Sequence, residues 1–108
     1  MSTLVADYLP LMRKFKNLKP SEKRKLICED EKFIQCIAEV CLNLIKGNVP
    51  LNRPQKVKLR RHRSIIKKLA GNVRKLKNKK KLLQKGGGVF LPLLFSVIAP
   101  LITNWLAQ

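Results

Sequence analysis

Leu4, Val5, Tyr8, Leu9, Met12, Phe15 and Leu18 recur at spacings of three and four, which places them on one face of a helix. Pro10 interrupts that face, so the helix either starts late, near Asp7, or kinks there. Pro20-Ser21 resets the chain, because proline suits the first turn of a helix, and Glu22 to Cys28 can form a short second one. The third element has the strongest pattern. Phe33, Ile34, Ile37, Val40, Cys41, Leu44 and Ile45 make a wide apolar stripe, and Glu29, Asp30 and Glu31 stand at the positive end of the helix dipole. Lys46-Gly47 closes the helix and Asn48-Val49-Pro50 stops it. Cys41 lies on the stripe, whereas the spacing points Cys36 well away from it. A unit of about 45 residues buries little surface alone, so this segment is expected to borrow a face from the next segment or from a partner.

From Arg53 to Lys85 a second pattern begins: Leu59, His62, Ile66, Leu69, Val73, Leu76, Lys80 and Leu83 alternate spacings of three and four, a heptad seam. His62 and Lys80 weaken it, and Gly71-Asn72 is expected to split it into two helices. Bases flank the seam almost throughout, so parallel self-association would set like charges side by side. Packing against the third helix is the better expectation. Gly86-Gly87-Gly88 then uncouples the chain, and the tail VFLPLLFSVIAPLITNWLAQ follows, with 14 of its 20 residues apolar and none charged. Pro92, Ser96, Pro100, Asn104 and Gln108, spaced by four, give it one narrow polar stripe. The expected architecture is all-α. A small bundle of three N-terminal helices (1–47) leads into a long basic helical segment (48–85), a glycine hinge (86–88) and a C-terminal hydrophobic helix (89–108).

Charge changes this picture. Lys and Arg number 24 against 6 Asp and Glu, for +18 at pH 7, and the charge is segregated. All six acids lie in the first 45 residues beside eight bases, residues 46–85 carry 16 bases and no acid, and residues 86–108 carry no charge. An enzyme with a polar cleft does not fit: the only histidine, His62, sits between arginines with no carboxylate or serine nearby, and no acid pair exists beyond the first segment. Neither a cofactor nor a metal site is expected. Cys28, Cys36 and Cys41 form no C-x-x-C pair and lack a second histidine, so they read as thiols in a reducing compartment. The N-terminus MSTLVADYLPLMRKF does not read as a secretory signal.

A run of bases with no interspersed acid calls for an anionic partner. The candidate contacts are Arg53, Lys56, Lys58, Arg60, Arg61, Arg63, Lys67, Lys68, Arg74, Lys75, Lys77, Lys79, Lys80 and Lys81. If about six to ten of them meet phosphates, affinity for nucleic acid falls steeply with salt. The segment has no aromatic residue for stacking and few Asn or Gln to read base edges, which implies backbone binding with little sequence preference. Anionic lipid headgroups and a merely solvated face are the competing readings. Arg60-Arg61-His62-Arg63 and Lys77-Asn78-Lys79-Lys80-Lys81 also fit short nuclear-import patterns.

The tail allows three readings. As a helix it would extend about 28 Å, near the thickness of a bilayer core, which suits a tail anchor with its basic flank on the cytoplasmic side. A membrane-active helix, released on demand, would use Phe90, Leu91, Leu94, Phe95, Ile98, Leu101, Ile102 and the interfacial Trp105. A buried helix supplying a small core with apolar area is the third.

The string KLRRHRSIIKKLAGNVRKLKNKKKLLQKGGGVFLPLLFSVIAPLI, Lys58 to Ile102, resembles a small protein of Maverick/Polinton elements and of their viral relatives, the adintoviruses. The shared order is a helical region with cysteines, a basic stretch, a QKGG junction and a hydrophobic FLP-type tail; the first 45 residues match only loosely. The resemblance implies a non-enzymatic virion core protein, found in the virion and the host nucleus. It would condense DNA, carry a membrane-active peptide, and have a capsid protein and a maturation protease as partners. It also gives Gln84, Lys85, Gly86, Gly87 and Gly88 a second meaning, since adenovirus-type proteases cut after paired glycines, although Gln84 stands where Leu, Ile or Met fits better. A plain hinge explains the same glycines. The alternative function is a membrane-associated, tail-anchored adaptor whose basic segment binds anionic lipid.

Overall fold

The computed structural model describes residues 3–71, 81, 83 and 90–102. Helix α1 spans Thr3–Lys14 and passes through the exposed Pro10, so the first apolar face is helical on both sides of the proline. A 3-10 turn, Phe15–Asn17, ends it. Lys19, in front of a proline, is extended (ψ 150°), and α2, Pro20–Glu29, begins with Pro20 in its first turn, where the missing N–H costs nothing. Asp30 (φ −98°, ψ 94°) separates α2 from α3, Glu31–Ile45, and caps α3 by accepting from the Phe33 N–H at 3.1 Å.

The end of α3 is a paired-bond glycine cap. Gly47 (φ 75°) takes the left-handed conformation, its N–H donates to the Leu44 carbonyl at 3.3 Å, and the Asn48 N–H donates to the Asn43 carbonyl at 3.0 Å. After it, Asn52 and Gln55 exchange reciprocal side-chain and backbone bonds of 2.9 Å that start α4, Arg53–Arg60. Helix α5, Arg63–Ala70, follows a turn at Arg61–His62 and ends at Gly71. Residues 81, 83 and 90–102 are helical. No strand occurs among the described residues, and the protein is all-α as its periodicity implies.

Helix α3 is the centre, with α1, α2 and α5 packed around it, α5 most extensively. The expected docking of the basic seam on the third helix is thus observed, through buried Ile66 and Leu69. One core cluster joins α1 (Val5, Met12), α3 (Phe33, Ile37, Val40), α5 and the tail (Phe90, Leu91, Leu94, Phe95, Ile98, Ile102). Phe95 meets Phe15 edge-on at 5.2 Å and Phe33 at 6.1 Å, while Phe15 and Phe33 stack at 6.0 Å.

Two expectations are corrected here. Cys36 does not point away from the core; it is fully buried, because a central helix is covered on most of its circumference and not along one stripe. The basic spine, expected to run from Arg53 to a break at Gly71-Asn72, turns earlier as well, at Arg61–His62. Arg60, Arg61 and Arg63 crowd like charge there, and the turn lets the half-buried His62 ring reach Phe90 at 5.4 Å.

Candidate nucleic-acid interface

The basic surface follows from which positions the core claims. In α4 only Leu59 is buried, so Arg53, Lys56, Lys58 and Arg60 are exposed. In α5 Ile66 and Leu69 face α3, which leaves Arg63, Lys67 and Lys68 in solvent, with Arg61 exposed at the turn between the helices. Arg60 and Lys58, and likewise Lys67 and Lys68, stand in last turns, where the negative end of the helix dipole favours cations. Eight cations thus project from 16 consecutive residues, 53–68, that hold no acid. Lys81 is exposed too. The expected contacts Arg74, Lys75, Lys77, Lys79 and Lys80 lie outside the described residues, as do Gln84, Lys85, Gly86, Gly87, Gly88 and Trp105.

The residues read as membrane-facing are turned inward wherever they are described. Phe90, Leu91, Leu94, Phe95, Ile98 and Ile102 are buried and Leu101 is partly so, while Ser96 and Pro100 are exposed, as the polar stripe implies. The Ser96 hydroxyl donates to the Leu93 carbonyl at 2.7 Å, which keeps it satisfied on the tail's outer line. No helix among the described residues is long and apolar enough to cross a membrane.

Cys28, Cys36 and Cys41 are thiols, with Cys28 half-buried and the other two buried. Burial, then Glu39 and Asp30, pushes the Cys36 thiol up to about 12, so it is a protonated packing group. Among the described residues no three His, Cys, Asp or Glu side chains converge as metal ligands.

Sequence reasoning missed a groove beside the bases. About 410 Å³ in volume, it is floored by Leu44, Ile45, Leu51, Leu59 and Ile66 and edged by Lys56, Arg60, Arg63 and Lys67. The readable signal was Ile45, an apolar residue at the very end of α3 with no helix left to cover it; the structure leaves it 49% exposed. No protein-family model, curated protein or solved structure matches this chain.

Proposed function

We propose that this is a non-enzymatic, all-α protein that binds the phosphate backbone of duplex DNA through α4 and α5, without sequence preference. The observation that carries the reading is the exposure of Arg53, Lys56, Lys58, Arg60, Arg61, Arg63, Lys67 and Lys68 on a stretch without an acid. Such a surface attracts a polyanion at long range and releases counterions on contact. The bases of residues 74–80 would extend it along the duplex. In the setting implied by the resemblance to Maverick/Polinton proteins, the protein would coat and condense the element's DNA in the virion.

The tail belongs to the same proposal with a condition attached. Phe90, Leu91, Leu94, Phe95, Ile98 and Ile102 lie in the core, so a membrane role requires the tail to leave the bundle, by opening or by cleavage near Gly87. Fluorescence anisotropy with two duplexes of unrelated sequence, titrated at several salt concentrations, tests the DNA reading. Both should bind alike, and replacing Arg60, Arg61 and Arg63 by Ala should reduce the slope of log K on log salt by up to about three units, at roughly 0.9 per lost contact. Salt-independent binding, or none at low salt, would overturn it.

A further inference from the structure

We infer that the groove between the end of α3 and helices α4 and α5 docks an acidic amphipathic helix of a protein partner. The floor is apolar at a place where a small protein has reason to hide such surface. Leu59 and Ile66 are almost buried, but Ile45 remains 49% exposed. Core packing explains the first two and leaves Ile45 without a use.

The rim selects the occupant. Lys56 and Arg60 are one helical turn apart on α4, and Arg63 and Lys67 are one turn apart on α5. No acid lines the groove. Two cation pairs, one on each of two helices, beside an apolar floor complement a helix with an apolar stripe and carboxylates along its flanks. A single-chain anionic amphiphile would bring one charge to four cations. A bilayer surface is flat and would reach the rim while leaving the recessed Leu59 and Ile66 untouched. A nucleic acid would satisfy the rim but has no side chain to seat on the floor. A second copy of this chain is a poor occupant too, because the two acids of α2, Glu22 and Glu29, stand either side of the consecutive bases Lys23, Arg24 and Lys25.

The inference is independent of DNA binding, although the rim cations are shared, so bound DNA should compete with the helix. The probe is a labelled synthetic helix of roughly 16 residues with Leu at i, i+3, i+4 and i+7 flanked by Glu, long enough to hold helical structure. A scrambled peptide of the same composition, duplex DNA and phosphatidylserine-containing vesicles are measured against the intact protein in parallel. The amphipathic peptide should bind about tenfold more tightly than the scrambled one, since only it can bury a continuous apolar face. Ile45→Ser, at a site too exposed to unfold the chain, should weaken the peptide about tenfold, Ile45→Val should restore most of it, and DNA affinity should stay within about twofold. Arg60→Gln with Arg63→Gln should weaken both ligands. Equal binding of the two peptides, or indifference to Ile45→Ser, would overturn the inference. So would vesicle binding that depends on Ile45, which would assign the groove to lipid.

Discussion

The Tyr8 hydroxyl donates to the Asp30 carboxylate, 2.9 Å from each oxygen, and the same carboxylate accepts the Phe33 N–H at the head of α3. One side chain thus caps a helix and ties α1 to the α2–α3 junction. Asp30→Ala should cost about 2 kcal/mol in chemical denaturation, a cap plus a hydrogen bond to a charged acceptor, whereas Asp30→Asn should keep most of the cap. Burial first, and then the hydrogen bond to Asp30, pushes Tyr8 from its ordinary 10.0 up to about 12, and Cys36 rises from 9.0 to about 12, mainly by burial. Both groups hold their protons more tightly folded than unfolded. Their contribution to stability is therefore complete below pH 9 and drains away as pH climbs from 9 toward 12. Thermal melts should show a Tm falling over that alkaline window, and Tyr8→Phe with Cys36→Ala should flatten the fall. Cys41 was legible as a core residue because it sits on the α3 stripe. Cys36 was not, since its burial depends on how many neighbours surround α3. In a thiol-titration assay at neutral pH, Cys28 should react first, and Cys36 and Cys41 only as the bundle opens.

Helix ends were the most readable elements. Lys46-Gly47 closes α3 as its composition implies, because a left-handed cap residue carries little penalty only in glycine. Among the described residues, nothing beyond its chain neighbours lies within 4 Å of where a Gly47 Cβ would sit, so Gly47→Ala should cost only the backbone strain, about 1 kcal/mol, by urea titration. The Asn52–Gln55 box that starts α4 is equally local, Asn followed three residues later by Gln, but it was found only in the structure. The turn at Arg61–His62 has no such mark. No glycine or proline marks it, and beside the crowded arginines the turn accompanies the packing of α5 on α3 and of His62 on Phe90. The basic face was legible as composition, and its exposure followed once Leu59, Ile66 and Leu69 were assigned to the seam. The groove edged by the same bases was not, because its walls come from helices separated in the chain.

At the scale of the molecule, the tail decides whether there is one core or two. Among its described residues, Phe90, Leu91, Leu94, Phe95, Ile98 and Ile102 share one core cluster with α1, α3 and α5. Phe95 completes the contact with Phe15 and Phe33, and Phe95→Ala should destabilise the whole protein by about 3–4 kcal/mol in a single transition. A tail that merely hung from a hinge would lose nothing. For the same reason the intact protein should leave liposomes sealed while a synthetic peptide of residues 88–108 releases a trapped dye, since burial at about 25 cal/mol per Å² is satisfied by the bundle in one case and only by lipid in the other. Leakage by the intact protein would show that no release step is needed, and none by the peptide would remove the membrane role from the proposal.

The sequence by itself determined the helical class, most of the apolar stripe of α3, its acidic start and its close at Gly47, and the placement of the bases on an acid-free stretch. These are local matters: period, capping chemistry and charge act within one turn or a few. Whether the tail's apolar side chains would meet lipid or protein was undetermined, because hydrophobic burial has no direction and accepts any apolar partner of the right shape. Only the tertiary structure surrounded α3 so fully that Cys36 is buried, seated Phe95 against Phe15 and Phe33, and left Ile45 uncovered beside four cations.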